Sequence, residues 1–437
     1  MEHYLGNERC ACGKVHTAAI DEIVIGKDAV KRLPGFIRKY ECNKPFLLAD
    51  CNTFSAAGKV VCDVLDDASI SYSKYVFSDQ ALEPNEESVG SAIMHFDKTC
   101  DMIIGIGSGV INDIGKILSN VSGRKYIIVG TAPSMDGYAS ATSSMSMDGL
   151  KVSLSSRCAD VIIGDTDILK TAPDHMLKAG LGDMLAKYVS IAEWRIAHEI
   201  TGEYYCERVA ELIRGALKKC IDNAEKLLKR DDEALEAVFE GLVIGGVAMA
   251  YAGVSRPASG VEHYFSHVWD MRGLEFGTQV DLHGIQCAIG TMQAVKLYEE
   301  IIKDAPNEEK AKAYVDSFDY ESWKAELREF LGNSAETMIA LEAKEKKYDK
   351  STHPARFKLI SKKWDAILTI LKEELPDAAQ LLTVMNTIGI STDPKSIGVT
   401  DAVLRKTFKA SKDIRDKYVL SRLAWDLGVL DELCDTM

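Results

Sequence analysis

The chain has 437 residues, with 52 Lys and Arg against 66 Asp and Glu, a formal net charge of −14. Hydrophobic residues at 46% and charged residues at 27% supply enough apolar material for a sizeable core and exclude a disordered chain. The acidic balance excludes a general nucleic-acid binder, whose backbone affinity needs Lys and Arg fields, and at first sight it also speaks against small anionic substrates.

At the N-terminus, MEHYLGNERCACGK lacks the apolar core of a signal peptide. No run of about 18 apolar residues is apparent, so a cytoplasmic chain with no membrane partner is expected. The eleven cysteines are odd in number and scattered, which predicts reduced thiols rather than a disulfide framework. Cys10, Cys12 and His16 stand close enough for zinc, but a closed structural site needs four ligands and only three are local.

The first third alternates strand and helix patterns. Strands are predicted at 19–25, 45–49, 71–77, 101–105 and 126–129, and helices at 28–40, 55–65 and 110–118. Short apolar strands separated by helices predict a parallel sheet covered on both faces, a Rossmann-like α/β domain over residues 1–170. From about Thr171 the spacing turns helical, at 176–200, 206–229, 232–252, 283–302, much of 307–374, and 400–427. An all-helical domain is expected over residues 171–437, with the active site between the two domains, beyond the carboxyl ends of the strands.

Three features carry chemistry. The strand at 101–105 runs into Gly105-Ile-Gly107-Ser108-Gly109 and then a helix, so backbone amides and a helix N-terminus can meet a pyrophosphate. A tight turn without a ligand has the same pattern, and Asp113 is read either as a holder of the loop amides or as a first-turn acid. A second loop, Thr131 to Ser140 with Ser134 and Asp136, is rich in hydroxyls; it suits phosphate, ribose or nicotinamide, or is an ordinary turn. Asp50 ends a strand, where an acid binds a ribose hydroxyl or caps the next helix. The third feature is a set of metal donors: Asp183 in GLGDMLAK, His263 and His267 four apart on one helical face in EHYFSH, and His283 in DLHG. Imidazole and carboxylate suit zinc, nickel or iron, and three protein ligands leave a position open for substrate.

Together, GIGSGVINDIGK, TAPSMDGYAS, GLGDMLAK and EHYFSH followed by DLHG resemble the sn-glycerol-1-phosphate dehydrogenase family in its bacterial AraM type. That family lies within the superfamily of glycerol dehydrogenase, iron-containing alcohol dehydrogenase and dehydroquinate synthase. The resemblance runs along essentially the whole chain, to the tail IRDKYVLSRLAWDLG, and implies a dehydroquinate synthase-like fold. It implies that Gly107, Ser108, Gly109, Val110 and Ile111 bind the cofactor pyrophosphate, and that Thr131, Ser134 and Ser140 also contact the dinucleotide. It places Asp50 at the position favouring NAD(H), with NADP(H) the alternative. It gives Asp183, His263 and His283 to one divalent ion, zinc or nickel. Asp136, Asp183 and His267 would face the substrate, with Asp183 and His267 catalytic. Lys187 stands where iron alcohol dehydrogenases carry a further His ligand, and Asp183 where dehydroquinate synthases carry Glu. Lys187 and Arg256 are cations for a substrate phosphate or, alternatively, solvated or helix-paired charges. The implied reaction is reduction of dihydroxyacetone phosphate to sn-glycerol 1-phosphate by a homodimer; the alternative is a glycerol or polyol dehydrogenase of the same superfamily.

Overall fold

The computed structural model describes residues 9–147 and 150–437. The chain divides into two compact units, Met1–Met184 with Arg208–Val254, and Leu185–Glu207 with Ser255–Met437.

Unit 1 is built on six parallel strands: β1 (Glu22–Gly26), β2 (Pro45–Asp50), β3 (Ser73–Phe77), β4 (Met102–Gly107), β5 (Lys125–Gly130) and β8 (Val161–Asp165). Their order is β1-β8-β5-β4-β2-β3. The central strands PFLLAD, MIIGIG and VIIGD are buried at every position, as a sheet covered on both faces requires. Helices α1 (Leu33–Lys39), α2 (Lys59–Asp67), α3 (Glu86–His95) and α4 (Gly109–Ser122) alternate with the strands. One face of the sheet buries Leu47, Ile104, Ile127 and Ile163 in a core with Leu33, Phe36, Val61 and Leu65.

Helix α3 and three strands of unit 1 were not foreseen. Strand β8 sits between β1 and β5, pairing Ile23 with Ile162 and Val129 with Ile163. Strands β6 (Thr142–Met147) and β7 (Leu150–Ser155) form a separate antiparallel pair. The unit closes with helices α5 (Asp174–Leu185), whose last residue falls in unit 2, α7 (Glu207–Asp222), whose first residue does, and α8 (Asp232–Ala252), with α6 (Lys187–Thr201) lying in unit 2. The single helix expected at 176–200 is therefore two, broken at Ala186.

The expectation that nothing is long and apolar enough to span a membrane needs correction. By length and composition α8 qualifies, with a mean hydropathy of 1.5, yet 78% of its apolar window is buried inside the protein. Its Phe239 lies against Gly130 and Gly164 and its Gly246 against Ala139, which makes it a core helix of unit 1.

Unit 2 is helical. Helices α9 (Val261–Phe276) and α10 (His283–Ile301) pack along each other, and α9 also meets α11 (Asp401–Ser411). Phe265, Trp269 and Phe408 fill that contact, and the Trp269 indole N–H donates to Thr407 Oγ1 at 3.2 Å. The charged stretch from 307 to 374 forms five helices that turn an apolar side inward, with Trp323, Leu327, Phe357 and Ile367 buried. The segment expected to be helical at 400–427 is α11 and α12 (Leu420–Asp426), joined by an irregular run that carries Arg415 and Lys417.

Candidate active site

In unit 1 the glycine turn and the hydroxyl-rich loop fold onto each other. A Cβ on Gly107 would stand 2.5 Å from Ile111 Cβ, so only glycine lets β4 turn this closely into α4. Thr131 N donates to Gly107 O at 3.1 Å, and the Ser108 and Ser134 hydroxyls are 2.6 Å apart. No side chain caps the N-terminus of α4 at Ser108. The Gly109–Ile111 turn thus begins at a helix end that carries partial positive charge. Asn112 Nδ2 donates to Gly137 O at 3.0 Å, and Lys116 Nζ to Thr142 O at 2.5 Å, which ties the second loop to α4. Asp113 pairs with the buried Lys116 at 2.8 Å; of its two readings, neither loop holder nor free first-turn acid describes it. Burial holds the Asp113 carboxyl above its ordinary range.

Asp183 is fully buried on α5 and accepts from Asp136 N at 2.9 Å. The Asp136 and Asp183 carboxylates approach within 4.8 Å. Helix and loop meet so tightly here because position 180 is glycine: a Cβ there would lie 1.8 Å from Pro133 O. Ser140 bonds locally, its hydroxyl 2.9 Å from that of Thr142. Asp50 caps the turn after β2, where its Oδ1 accepts from Asn52 N at 2.8 Å and Thr53 N at 2.9 Å.

Unit 2 gathers the three expected histidines. Ring centroids of His263 and His283 are 5.0 Å apart, those of His267 and His283 5.9 Å, and those of His263 and His267 6.4 Å. The first pair is oriented from behind. His263 Nδ1 is 2.9 Å from Glu262 Oε1, and His283 Nδ1 is 2.9 Å from Ser266 Oγ. Gln286 holds Ser266 in turn, through Nε2 at 3.0 Å. A carboxylate or hydroxyl on Nδ1 fixes the ring and turns Nε2 outward as a ligand, the support that metal-binding histidines usually have. Burial, and then the charges of His283, Arg415, His263 and Lys417, hold the His267 imidazole well below its usual pKa, so it is neutral.

Glu262 is fully buried, and burial pushes its carboxyl up to about 7. Glu193, accepting from Val261 N at 2.9 Å and Leu420 N at 2.8 Å, is pushed up to about 8 by burial and by the Glu262 charge. Sequence reasoning overlooked both. It also overlooked Cys287, one turn after His283, whose thiol reaches 3.5 Å from His283 Nε2; the four-residue spacing was the available signal.

The two cations offered to a phosphate are neither solvated nor paired along a helix: both are buried and held by other parts of the protein. Arg256 is fully buried, its Nε and Nη2 on the Glu203 carboxylate at 2.6–2.9 Å and its Nη1 on Tyr418 O at 3.0 Å. Lys187, also fully buried, donates to Ala258 O at 3.1 Å. The cations that act on His267 are instead Arg415, which is exposed, and Lys417. Lys417 donates to Ser255 Oγ at 2.8 Å and Ser259 O at 3.1 Å, and burial followed by the Arg256 and Arg415 charges lowers it to about 7.

Residues 24–173 match the family model described as iron-containing alcohol dehydrogenase. A glycerol-1-phosphate dehydrogenase [NAD(P)+] of Halalkalibacterium halodurans is 31% identical over 66% of this chain and 74% of its own length. The chain belongs to the glycerol-1-phosphate dehydrogenase family. The namesake enzyme of Geobacillus thermodenitrificans is 26% identical over 93% of both chains, so the family likeness extends through both units. Sulfoacetaldehyde reductase of Bifidobacterium kashiwanohense, solved in complex with NAD+, shares the fold, with a TM-score of 0.63 at 14% identity over 97% of this chain and 99% of that one.

Proposed function

We propose that this family member reduces dihydroxyacetone phosphate to sn-glycerol 1-phosphate with NAD(P)H, as a cytoplasmic homodimer. The observation that carries the reading is the histidine cluster on α9 and α10, each expected ligand ring braced at Nδ1 by Glu262 or Ser266. Two braced imidazoles and a buried carboxylate form a donor set that fits zinc or nickel. His263, His283 and Asp183 would hold the ion. The chemistry such an ion supplies when bound is Lewis-acid polarisation of the ketone carbonyl, and the chemistry the nicotinamide supplies is hydride.

The chain's own residues do the rest. The Gly107–Ile111 turn, with Thr131, Ser134 and Ser140, binds the dinucleotide pyrophosphate and neighbouring groups, and Asp50 takes a ribose hydroxyl. Asp50 already spends Oδ1 on its cap, so Oδ2 is the atom for the ribose. Asp136 faces the substrate. His267, held neutral, donates one ring N–H to the substrate oxygen while its other nitrogen takes a proton from solvent, so the proton that balances the hydride passes through the ring. Arg415 and Lys417 receive the phosphate, because an anion there offsets the burial and, after it, the Arg256 and Arg415 charges that lower Lys417. Lys187 and Arg256 hold the scaffold behind them.

The test is NADH consumption by chelator-stripped protein reloaded with Zn²⁺ or Ni²⁺. Dihydroxyacetone phosphate is expected to be the better substrate by kcat/KM, and the Lys417→Met protein to lose that preference through KM. Equal or better turnover of unphosphorylated dihydroxyacetone by the unaltered protein would favour the polyol dehydrogenase reading.

A further inference from the structure

The start of unit 1 gathers a second set of metal donors, which the proposed reaction does not use. Arg9 and Val15 form an antiparallel bridge, Cys10 N donates to Lys14 O at 2.9 Å, and Gly13 N donates to Cys10 O at 2.9 Å. With Gly13 at φ 87°, this turn folds the segment CACGKVH back on itself. Cys10, Cys12 and His16 each then present a donor atom within 4.8 Å of the others. Cys12 Sγ and His16 Nε2 are 3.4 Å apart. Sulfur at about 2.3 Å and nitrogen at about 2.1 Å from a tetrahedral zinc ion stand about 3.6 Å from each other. The spacing is that of two ligands on one ion.

The tautomer agrees. His16 Nδ1 lies 3.1 Å from Tyr251 O, a carbonyl that can only accept. Nδ1 therefore carries the proton, and Nε2 turns its lone pair to the thiols. Tyr251 also stacks on the ring at 5.2 Å, and Lys14 Nζ donates to Ala252 O at 3.3 Å, so the turn is seated on the end of α8. Cys10 and His16 are both buried. A lone thiol–imidazole hydrogen bond would account for Cys12 and His16 but not for a second thiol at the same point.

We propose that Cys10, Cys12 and His16 bind a thiophilic divalent cation of the zinc class that fastens the N-terminal turn to α8. Binding displaces the two thiol protons to solvent and leaves the metal's oxidation state unchanged. The fourth corner of the tetrahedron takes water or a further thiolate.

The test uses the full chain, purified without chelator, with metal counted by mass spectrometry and Co²⁺ then exchanged into it. The unaltered protein is expected to hold one equivalent more than the Asp/His site accounts for, and to show thiolate-to-cobalt charge transfer in the near ultraviolet. Cys10→Ser and Cys12→Ser should each remove that equivalent and that band while NADH oxidation persists. Cys287→Ser should keep the band, since Cys287 belongs to the His283 neighbourhood. A single equivalent without thiolate charge transfer in the unaltered protein overturns the proposal, and that reading requires no variant to fold. A band that survives both Cys10→Ser and Cys12→Ser, or that is lost in Cys287→Ser, overturns it too.

Discussion

Gly180→Ala is a one-methyl perturbation whose effect can be worked out from the coordinates. The new Cβ would lie 1.8 Å from Pro133 O and 2.7 Å from Pro133 C. Ordinary C···O contacts begin at about 3.3 Å, so α5 and the Thr131–Ser140 loop must part by about 1.5 Å. The obstructing atoms are backbone and have no rotamer to escape into. Overpacking of this kind costs roughly 1–3 kcal/mol, and a rigid obstacle puts the figure near the top of that range. The displaced loop carries the Asp136 N–H to Asp183 bond and the Ser134 partner of Ser108. A misplacement of about 1 Å at a reacting centre costs about 10²-fold in rate. Urea denaturation and kcat with dihydroxyacetone phosphate measure the two effects. Gly90→Ala is the control, because nothing lies within 4 Å of a Cβ there and α3 should gain about 0.5–1 kcal/mol. A Gly180→Ala protein with unchanged urea midpoint and unchanged kcat would refute the reasoning.

Removing Arg256 as Ala should cost about 3 kcal/mol in urea unfolding, the low end for breaking a buried pair because Glu203 keeps some access to water; Arg256→Lys cannot restore the fork. Glu262→Ala should weaken metal retention about 10–100-fold, read by competition with a chelator, and Glu262→Gln should recover most of it because an oxygen still accepts from His263 Nδ1. The half-buried Lys417 gives a pH signature. Its folded pKa of about 7 lies below the unfolded 10.5, so the unfolded chain holds more protons between those values and stability rises with pH across that window. The slope approaches about 1.4 kcal/mol per pH unit and is flat below pH 7; in phosphate-free buffer Lys417→Met should lack it.

Much of this was legible because it is local. Apolar runs such as PFLLA and DMIIG announce buried strands, Gly105–Gly109 announces a strand-to-helix turn, and His263 with His267 announces one helical face. Strand β8 was missed although VIIGD is as apolar as its neighbours, because a short apolar run carries no periodicity and its place between β1 and β5 is a long-range fact. The β6–β7 pair escaped because half of TSSMSM is serine, so its alternation of buried and less buried positions carries little apolar signal. Charges were the hardest to place. Arg256 and Lys187 sit close in sequence to the proposed metal ligands, yet Glu203 and the Tyr418 and Ala258 carbonyls reach them from other parts of the chain. Arg415 and Lys417, far along the sequence, act on His267. The net charge of −14 limits long-range steering of an anion, and in the proposed site a few cations and helix-end amides would decide what binds locally.

The most direct test of the central claim is the configuration of the product. Full-length protein reloaded with Zn²⁺ or Ni²⁺ is given NADH and dihydroxyacetone phosphate, and the glycerol phosphate formed is resolved by a chiral assay. The account predicts sn-glycerol 1-phosphate in amount equal to the NADH consumed. Glycerol 3-phosphate, or no phosphorylated product while dihydroxyacetone is reduced, would contradict it.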